Sequence, residues 1–317
     1  MADASPLRKD PLSGREVIYA THRQDRPHVI ATDHDQTKPQ KTCPFCPGNE
    51  AMLPDILWEQ DDEVNWQARA VSNLYPIVSP PDGHHEIIID APEHNLSTGA
   101  MTAENWRTIV AAYDARLHAL SRRWSYVSLF RNVGARAGGT IDHPHSQLIA
   151  LAKTPEHINA RFQRLLHEFE ISGQCLLCET TNTNPNFAER IITQNAAYVA
   201  FSPEVAEVPF EVWVAPLAHS SAFSLVDERD QNALAEILSD VFTRMAGVLG
   251  DFDHNMMLVD TSKDPQPYLH WFLRIRPIGE PVGGFERATG IAVNESDPKN
   301  DAAALRHAFA IPDMDSV

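Results

Sequence analysis

His143-Pro144-His145-Ser146-Gln147 and, 127 positions later, His270-Trp271-Phe272-Leu273-Arg274 are the stretches on which the fold of this chain turns. Each is the last landmark of the same series: a Cys-x-x-Cys pair, a lone histidine after a proline turn, and a histidine opening an apolar strand. The first series is Cys43, Cys46, His94 and His143, and the second is Cys175, Cys178, His219 and His270. The offsets between copies are 132 for the first cysteine, 125 for the turn histidine and 127 for the strand histidine. Offsets that nearly agree indicate one plan written twice.

Between the landmarks the plan repeats as well. Trp106, Ile109, Val110, Tyr113, Leu117 and Leu120 recur at helical spacing, on a helix that Thr102 is placed to cap. Leu234, Ile237, Leu238, Val241, Met245 and Val248 repeat the same steps. Such stripes face a core and carry no chemistry. Strand-like runs precede each helix, 85–90 before Pro92 and 209–214 before Pro216, and two more follow each: 126–131 with 143–151, and 256–260 with 268–275. Each half therefore reads as an antiparallel sheet with a long helix lying across it, an α+β plan. A helix over 155–173 joins the halves, which divide the chain into domains at 1–165 and 166–317, each with its own metal site. The acidic tail after Asn294 reads as peripheral.

The four cysteines form two Cys-x-x-Cys pairs in a chain with no secretion signal, which favours metal ligation over disulfides. Two thiolates and two imidazoles suit tetrahedral zinc, so two zinc sites are expected, one on Cys43, Cys46, His94 and His143 and one on Cys175, Cys178, His219 and His270. A lone turn histidine is ordinarily a surface residue, and His84 and His85 lie near His94; the repeat is what reverses that preference. Full ligand sets leave no open coordination position, so these metals staple the fold and catalysis lies beside them. The net charge of −17 excludes a chain-wide attraction to nucleic acid, and no apolar run is long enough for a membrane helix. A cytoplasmic protein is expected.

The copies differ at the strand that carries the last ligand. His145 and Gln147 share a face with His143 in the first, where the second has Phe272 and Arg274. An imidazole and a carboxamide added to one copy only point to a single active site. His145 is the candidate nucleophile, since a neutral imidazole attacks phosphorus and yields a reactive phosphoramidate. Gln147 is the candidate donor to a phosphate oxygen. The Gly-rich run 130–140, with Asn132 and Thr140, is a candidate phosphate cradle just upstream.

On these residues the chain resembles the galactose-1-phosphate uridylyltransferase family, a branch of the histidine-triad superfamily, over nearly its whole length; Cys43 to Glu50, Cys-Pro-Phe-Cys-Pro-Gly-Asn-Glu, is similar to its first metal motif. The resemblance implies a tandem pair of histidine-triad-like domains, a homodimer, and nucleotide sugar with hexose 1-phosphate as substrates. It implies roles for Arg23 and Arg26 near the nucleotide, Asn73 in the nucleoside pocket, Asn132, Thr140 and Gln147 at phosphate, and Glu286 at hexose hydroxyls. The leading expectation is a UDP-glucose:hexose-1-phosphate uridylyltransferase working by ping-pong through nucleotidyl-His145. Ser146, Arg131 and the second Cys-x-x-Cys are more like relatives that act on ADP-glucose, so an ADP-glucose:phosphate adenylyltransferase or phosphorylase is the close alternative. A histidine-triad hydrolase and a non-catalytic zinc scaffold are the others; Glu286 with the long second half disfavours the first, and the contrast of His145 with Phe272 the second.

Overall fold

The computed structural model describes residues 7–19, 43–61, 66–279 and 281–308. Arg23 and Arg26 lie outside the described residues. In chain order, strands β1 (Leu7–Lys9), β2 (Glu16–Tyr19), β3 (Ile56–Asp61), β4 (Trp66–Ser72) and β5 (Gly83–Ile89) lead into helix α1 (Ala103–Ser121), then β6 (Tyr126–Val133) and β7 (His145–Leu151). Helices α2 (Glu156–Ser172) and α3 (Leu176–Thr183) follow. The second series is β8 (Ile191–Gln194), β9 (Tyr198–Phe201), β10 (Val212–Pro216), helix α4 (Glu228–Leu249), β11 (His254–Val259) and β12 (Phe272–Pro277). Helix α5 (Gly284–Thr289), β13 (Ala292–Asn294) and helix α6 (Pro298–His307) complete it.

Ten of these strands form one sheet in the order β3-β4-β5-β7-β6-β11-β12-β10-β9-β8. The order reads alike from either edge: β3, β4, β5, β7 and β6 of the first half take the places that β8, β9, β10, β12 and β11 take in the second. The halves meet where β6 pairs antiparallel with β11, so the two expected sheets are continuous with each other. The division expected at 165/166 falls inside α2. A small second sheet, β1-β2-β13, ties the amino-terminal strands to the carboxy-terminal region.

Helices α1 and α4 pack on the same face of the large sheet. Thr102 caps α1 through a reciprocal box with Asn105, and all six residues of the first apolar stripe are buried. In α4, Leu234, Ile237, Leu238, Val241 and Met245 are buried, with Val248 packed against them. Trp106 of α1 stacks on Phe242 of α4 with ring centroids 5.2 Å apart and planes within 8°. Both stripes therefore enter one core, which also takes Leu148 and Ala150 from β7. Alternation then sends His145 and Gln147 to the opposite face of that strand.

The carboxy-terminal tail is a correction to the sequence reading. Within α6, Ala302 and Leu305 are fully buried against the core, and Asp301 accepts from the Phe210 amide. Charge masked a short helix whose buried residues, Pro298, Asp301, Ala302 and Leu305, include an acid and only one large apolar side chain, too few to stand out as a hydrophobic stripe. The strand expected over 209–214 begins later, at Val212, because Phe210 takes a left-handed φ of 57°.

Candidate active site and metal centres

The sequence brings four ligands together in each half. Cys43, Cys46, His94 and His143 have their ligating atoms within 4.8 Å of one another, and so do Cys175, Cys178, His219 and His270. The Cys46 Sγ lies 3.2 Å from His94 Nδ1 and 3.6 Å from His143 Nδ1, and Cys43 Sγ lies 3.8 Å from His143 Nδ1. In the second half Cys178 Sγ lies 3.5 Å from His219 Nδ1 and 3.3 Å from His270 Nδ1. A tetrahedral ion with ordinary Zn–S and Zn–N bonds sets such edges at about 3.6 Å, so both donor sets fit. The backbone prepares the imidazoles: His143 donates Nε2–H to Ala91 O at 2.7 Å, and His270 donates Nε2–H to Pro216 O at 3.1 Å. A carbonyl only accepts, so each ring keeps its Nδ1 lone pair for the cluster.

His145 carries the opposite tautomer. Its Nδ1–H donates to the His143 carbonyl at 2.9 Å, which leaves Nε2 as the lone pair. Burial holds the ring below the ordinary imidazole range, and the nearby Arg131 charge adds to the effect. The ring is thus neutral at neutral pH. Phe45, from the Cys43–Cys46 turn, packs against it with centroids 5.6 Å apart, so that turn also forms a wall beside His145.

Beneath His145, on the helix side, lies a polar network that the sequence alone does not reveal. Ser146 donates to Asp90 Oδ2 at 3.0 Å and lies 2.6 Å from the Tyr113 hydroxyl, while Arg131 Nε is 3.4 Å from the same carboxylate oxygen. Asp90 and Arg131 are both almost fully buried. Burial pushes Asp90 up to about 6 even with Arg131 beside it and Ser146 donating to it. Tyr113 looks like one more apolar member of a helical stripe, so its hydroxyl gave no signal in the sequence.

On the open face a polar row crosses the seam between halves. Asn255 of β11 pairs with Asn132 of β6 and, on its other side, with Arg276 of β12. Extending the β6–β7 register by one step sets Asn132 opposite His145. Asn255 and Arg276 line a cavity of about 970 Å³ together with Arg136, Glu207 and Glu286. Glu286 thus stands on the far side of the row from His145. Neither Asn255 nor Arg276 has a counterpart in any motif, and only the strand pairing reveals them.

The remaining expected residues fall as follows. Gln147 accepts from His85, and Asn73 has its Nδ2 3.2 Å from His85 Nδ1 while its Oδ1 takes the Tyr75 amide. Thr140 is exposed in the loop between β6 and β7. That loop starts at Gly134, with φ of 86°, where a Cβ would fall 2.0 Å from the Asp253 carboxylate. Asp253 in turn accepts the Arg136 amide at 2.8 Å. Only glycine allows this close crossing of the seam.

Comparison with known proteins places this arrangement. The family model described as galactose-1-phosphate uridyl transferase, N-terminal domain, matches residues 55–155. ADP-glucose phosphorylase of Arabidopsis thaliana is 31% identical, over 95% of this chain and 92% of that protein. The chain belongs to the galactose-1-phosphate uridylyltransferase family. Membership makes it a nucleotidyltransferase. Within the family, the uridylyltransferase of Thermotoga maritima is 24% identical over 95% of this chain and 97% of that one. The crystal structure of the Arabidopsis ADP-glucose phosphorylase with bound ADP-glucose superposes with a TM-score of 0.84, covering 96% of this chain and 98% of that one. A solved uridylyltransferase, 23% identical, shares the fold with a TM-score of 0.76. Among the described residues no helix is long and apolar enough to cross a membrane.

Proposed function

We propose that the protein transfers a nucleoside monophosphate from a nucleotide sugar to an acceptor phosphate through a covalent intermediate on His145. The observation that carries this reading is the hydrogen bond from His145 Nδ1 to the His143 carbonyl, which leaves Nε2 as a buried, neutral nucleophile. In the first half-reaction Nε2 attacks the α-phosphorus, the P–O bond to the hexose phosphate breaks, and hexose 1-phosphate leaves with the electron pair. The His143 carbonyl then faces a cationic ring, which it stabilises through the retained Nδ1–H. In the second, an oxygen of the acceptor attacks phosphorus, the P–N bond breaks, and the pair returns to Nε2. Gln147 and Asn132 are the donors to the non-bridging oxygens, with Thr140 in the loop above. Glu286 receives hexose hydroxyls from the cavity side.

Zinc is the ion we assign to both Cys2His2 sets, in a structural role. Held by its four ligands, it would fix the Cys43–Cys46 loop, and Phe45 within it, against His143 and His145. Close to two zinc equivalents are expected by elemental analysis of protein purified without added metal, and none in either half would remove this assignment.

Two readings of the donor follow. UDP-glucose with galactose 1-phosphate as acceptor is supported by the likeness to several uridylyltransferases. ADP-glucose with inorganic phosphate is supported by the 31% identity to the Arabidopsis phosphorylase and by Ser146, Arg131 and the second cluster. Incubation with a panel of nucleotide sugars, followed by mass measurement of the intact protein, decides between them because the adduct mass names the nucleotide. No adduct with any donor, together with exchange that requires both substrates at once, would mean direct transfer in a ternary complex and would sink the assignment of His145.

A further inference from the structure

We infer that His85 and Asn255 are positioning residues that lock the two amides flanking His145 into donor-only presentation, Gln147 through His85 and Asn132 through Asn255. The inference rests on the reading of His145 as nucleophile.

Each lock starts from a backbone group whose hydrogen-bonding sense is fixed. The Ile77 N–H points at His85 Nδ1 at 3.2 Å, and an amide N–H can only donate, so Nδ1 is the acceptor. Burial keeps this ring neutral, with its one proton on Nε2. Nε2–H then donates to Gln147 Oε1 at 3.0 Å. With its oxygen occupied, Gln147 turns its NH2 outward.

The second lock runs the other way along the same logic. Asn255 Nδ2 lies 2.9 Å from the Ala137 carbonyl, which can only accept, so this end of Asn255 is its NH2. The same NH2 donates to Asn132 Oδ1 at 2.7 Å. Asn132 is left with its NH2 to offer. The two amides approach the nucleophile's row from opposite sides, one anchored in β5 of the first half and the other in β11 of the second.

A phosphate whose negative charge grows in the transition state needs donors, and a flipped amide would offer a carbonyl oxygen instead. A free glutamine or asparagine samples both orientations at little cost. Fixing both in advance removes the repulsive states before substrate arrives, which is preorganisation in the electrostatic sense.

The test has an arm on the unmodified protein. Nitrogen-labelled histidine NMR of the parent reads the His85 tautomer; protonated Nε2 with bare Nδ1 is expected, and the reverse overturns the inference. Rapid-quench measurement of nucleotidyl-enzyme formation, with ADP-glucose and UDP-glucose as probes, gives the other arm. His85→Leu is expected to slow this step about 10-fold or more while the Kd for the nucleotide sugar moves less than about 3-fold, part of the loss typical for an oxyanion donor. His85→Gln, which puts an amide nitrogen near the Nε2 position, should recover most of the rate. On a Gln147→Ala background His85→Leu should cost nothing further, and Asn255→Leu should cost nothing further on an Asn132→Ala background. A His85→Leu rate within about 2-fold of the parent, or losses that multiply in the double variants, overturns it; zinc content of each variant guards against reading misfolding as chemistry. A parent that forms no adduct overturns this inference and the proposed function together, whereas a normal parent with an unaffected His85→Leu variant overturns this inference alone.

Discussion

His145 gives its Nδ1–H to the backbone carbonyl of His143, and His143 gives its Nε2–H to the carbonyl of Ala91, so two imidazoles two positions apart present opposite nitrogens. The backbone alone sets which nitrogen each ring leaves bare, Nδ1 toward the Cys2His2 cluster for His143 and Nε2 for His145, as the proposed function requires.

Replacing His145 with Gly should therefore abolish nucleotidyl transfer without unfolding the protein or releasing metal. Added imidazole should enter the vacated space beside Phe45, attack the α-phosphorus and leave as free nucleotidyl-imidazole. Chromatographic detection of that product checks the prediction, since a histidine acting only as acid or base could not be replaced in this way.

Cys43→Ser should lose the first metal equivalent and most of the activity together. The Cys43–Cys46 loop reaches His145 through Phe45, whose ring packs on His143 and His145 with centroid distances of 5.9 and 5.6 Å. Cys175→Ser should lose its own metal equivalent and leave a larger share of activity, because Phe272 stands where His145 stands in the first half. Parallel metal analysis and turnover measurements on the two variants decide the matter.

Asp90→Asn should destabilise the fold by about 3 to 5 kcal/mol, because it leaves the Arg131 guanidinium buried without its carboxylate. The double variant Asp90→Asn with Arg131→Met removes the charge as well and should recover most of that loss. Chemical denaturation of the three proteins reads this directly. A single variant as stable as the parent would show that the pair contributes nothing.

His254 provides a pH prediction. Burial holds its imidazole down at about 3, with Arg131 nearby acting in the same direction. Between that value and the unfolded pKa of about 6.5, the unfolded chain binds the extra proton and the native one does not, so stability falls as pH drops. The loss from this one group is about 1.4 kcal/mol for each pH unit below about 6.5. His254→Leu should flatten the stability profile over that window, and denaturation curves at several pH values check it. Parallel profiles for parent and variant would dismiss the role.

The two Cys2His2 clusters were legible because chemistry restricts the types and spacing of such groups: Cys43, Cys46 and His143 announce themselves in one dimension. So were the helices, since Trp106 through Leu120 and Leu234 through Val248 carry a period. Two things were hidden. The joining of β6 to β11 depends on edges that look alike in sequence, and with it went Asn255, whose partner Asn132 comes from the other half of the chain, and Arg276, which Asn255 brings into the same row. His85 was visible but read as competition for His94, because nothing in a strand pattern shows that its ring reaches Gln147.

The β6–β11 ladder runs from Val133 opposite His254 to Phe130 opposite Met257, and it is the joint between halves within the large sheet. A chain truncated before β11 would end its sheet on the bare edge of β6, a row of unsatisfied amide and carbonyl groups beside apolar side chains. Such an edge invites strand addition from a second molecule. Premature termination before β11 should therefore yield an aggregating product that quality control clears, and the first half of this enzyme alone is expected to be insoluble even though it carries His145 and the first Cys2His2 cluster.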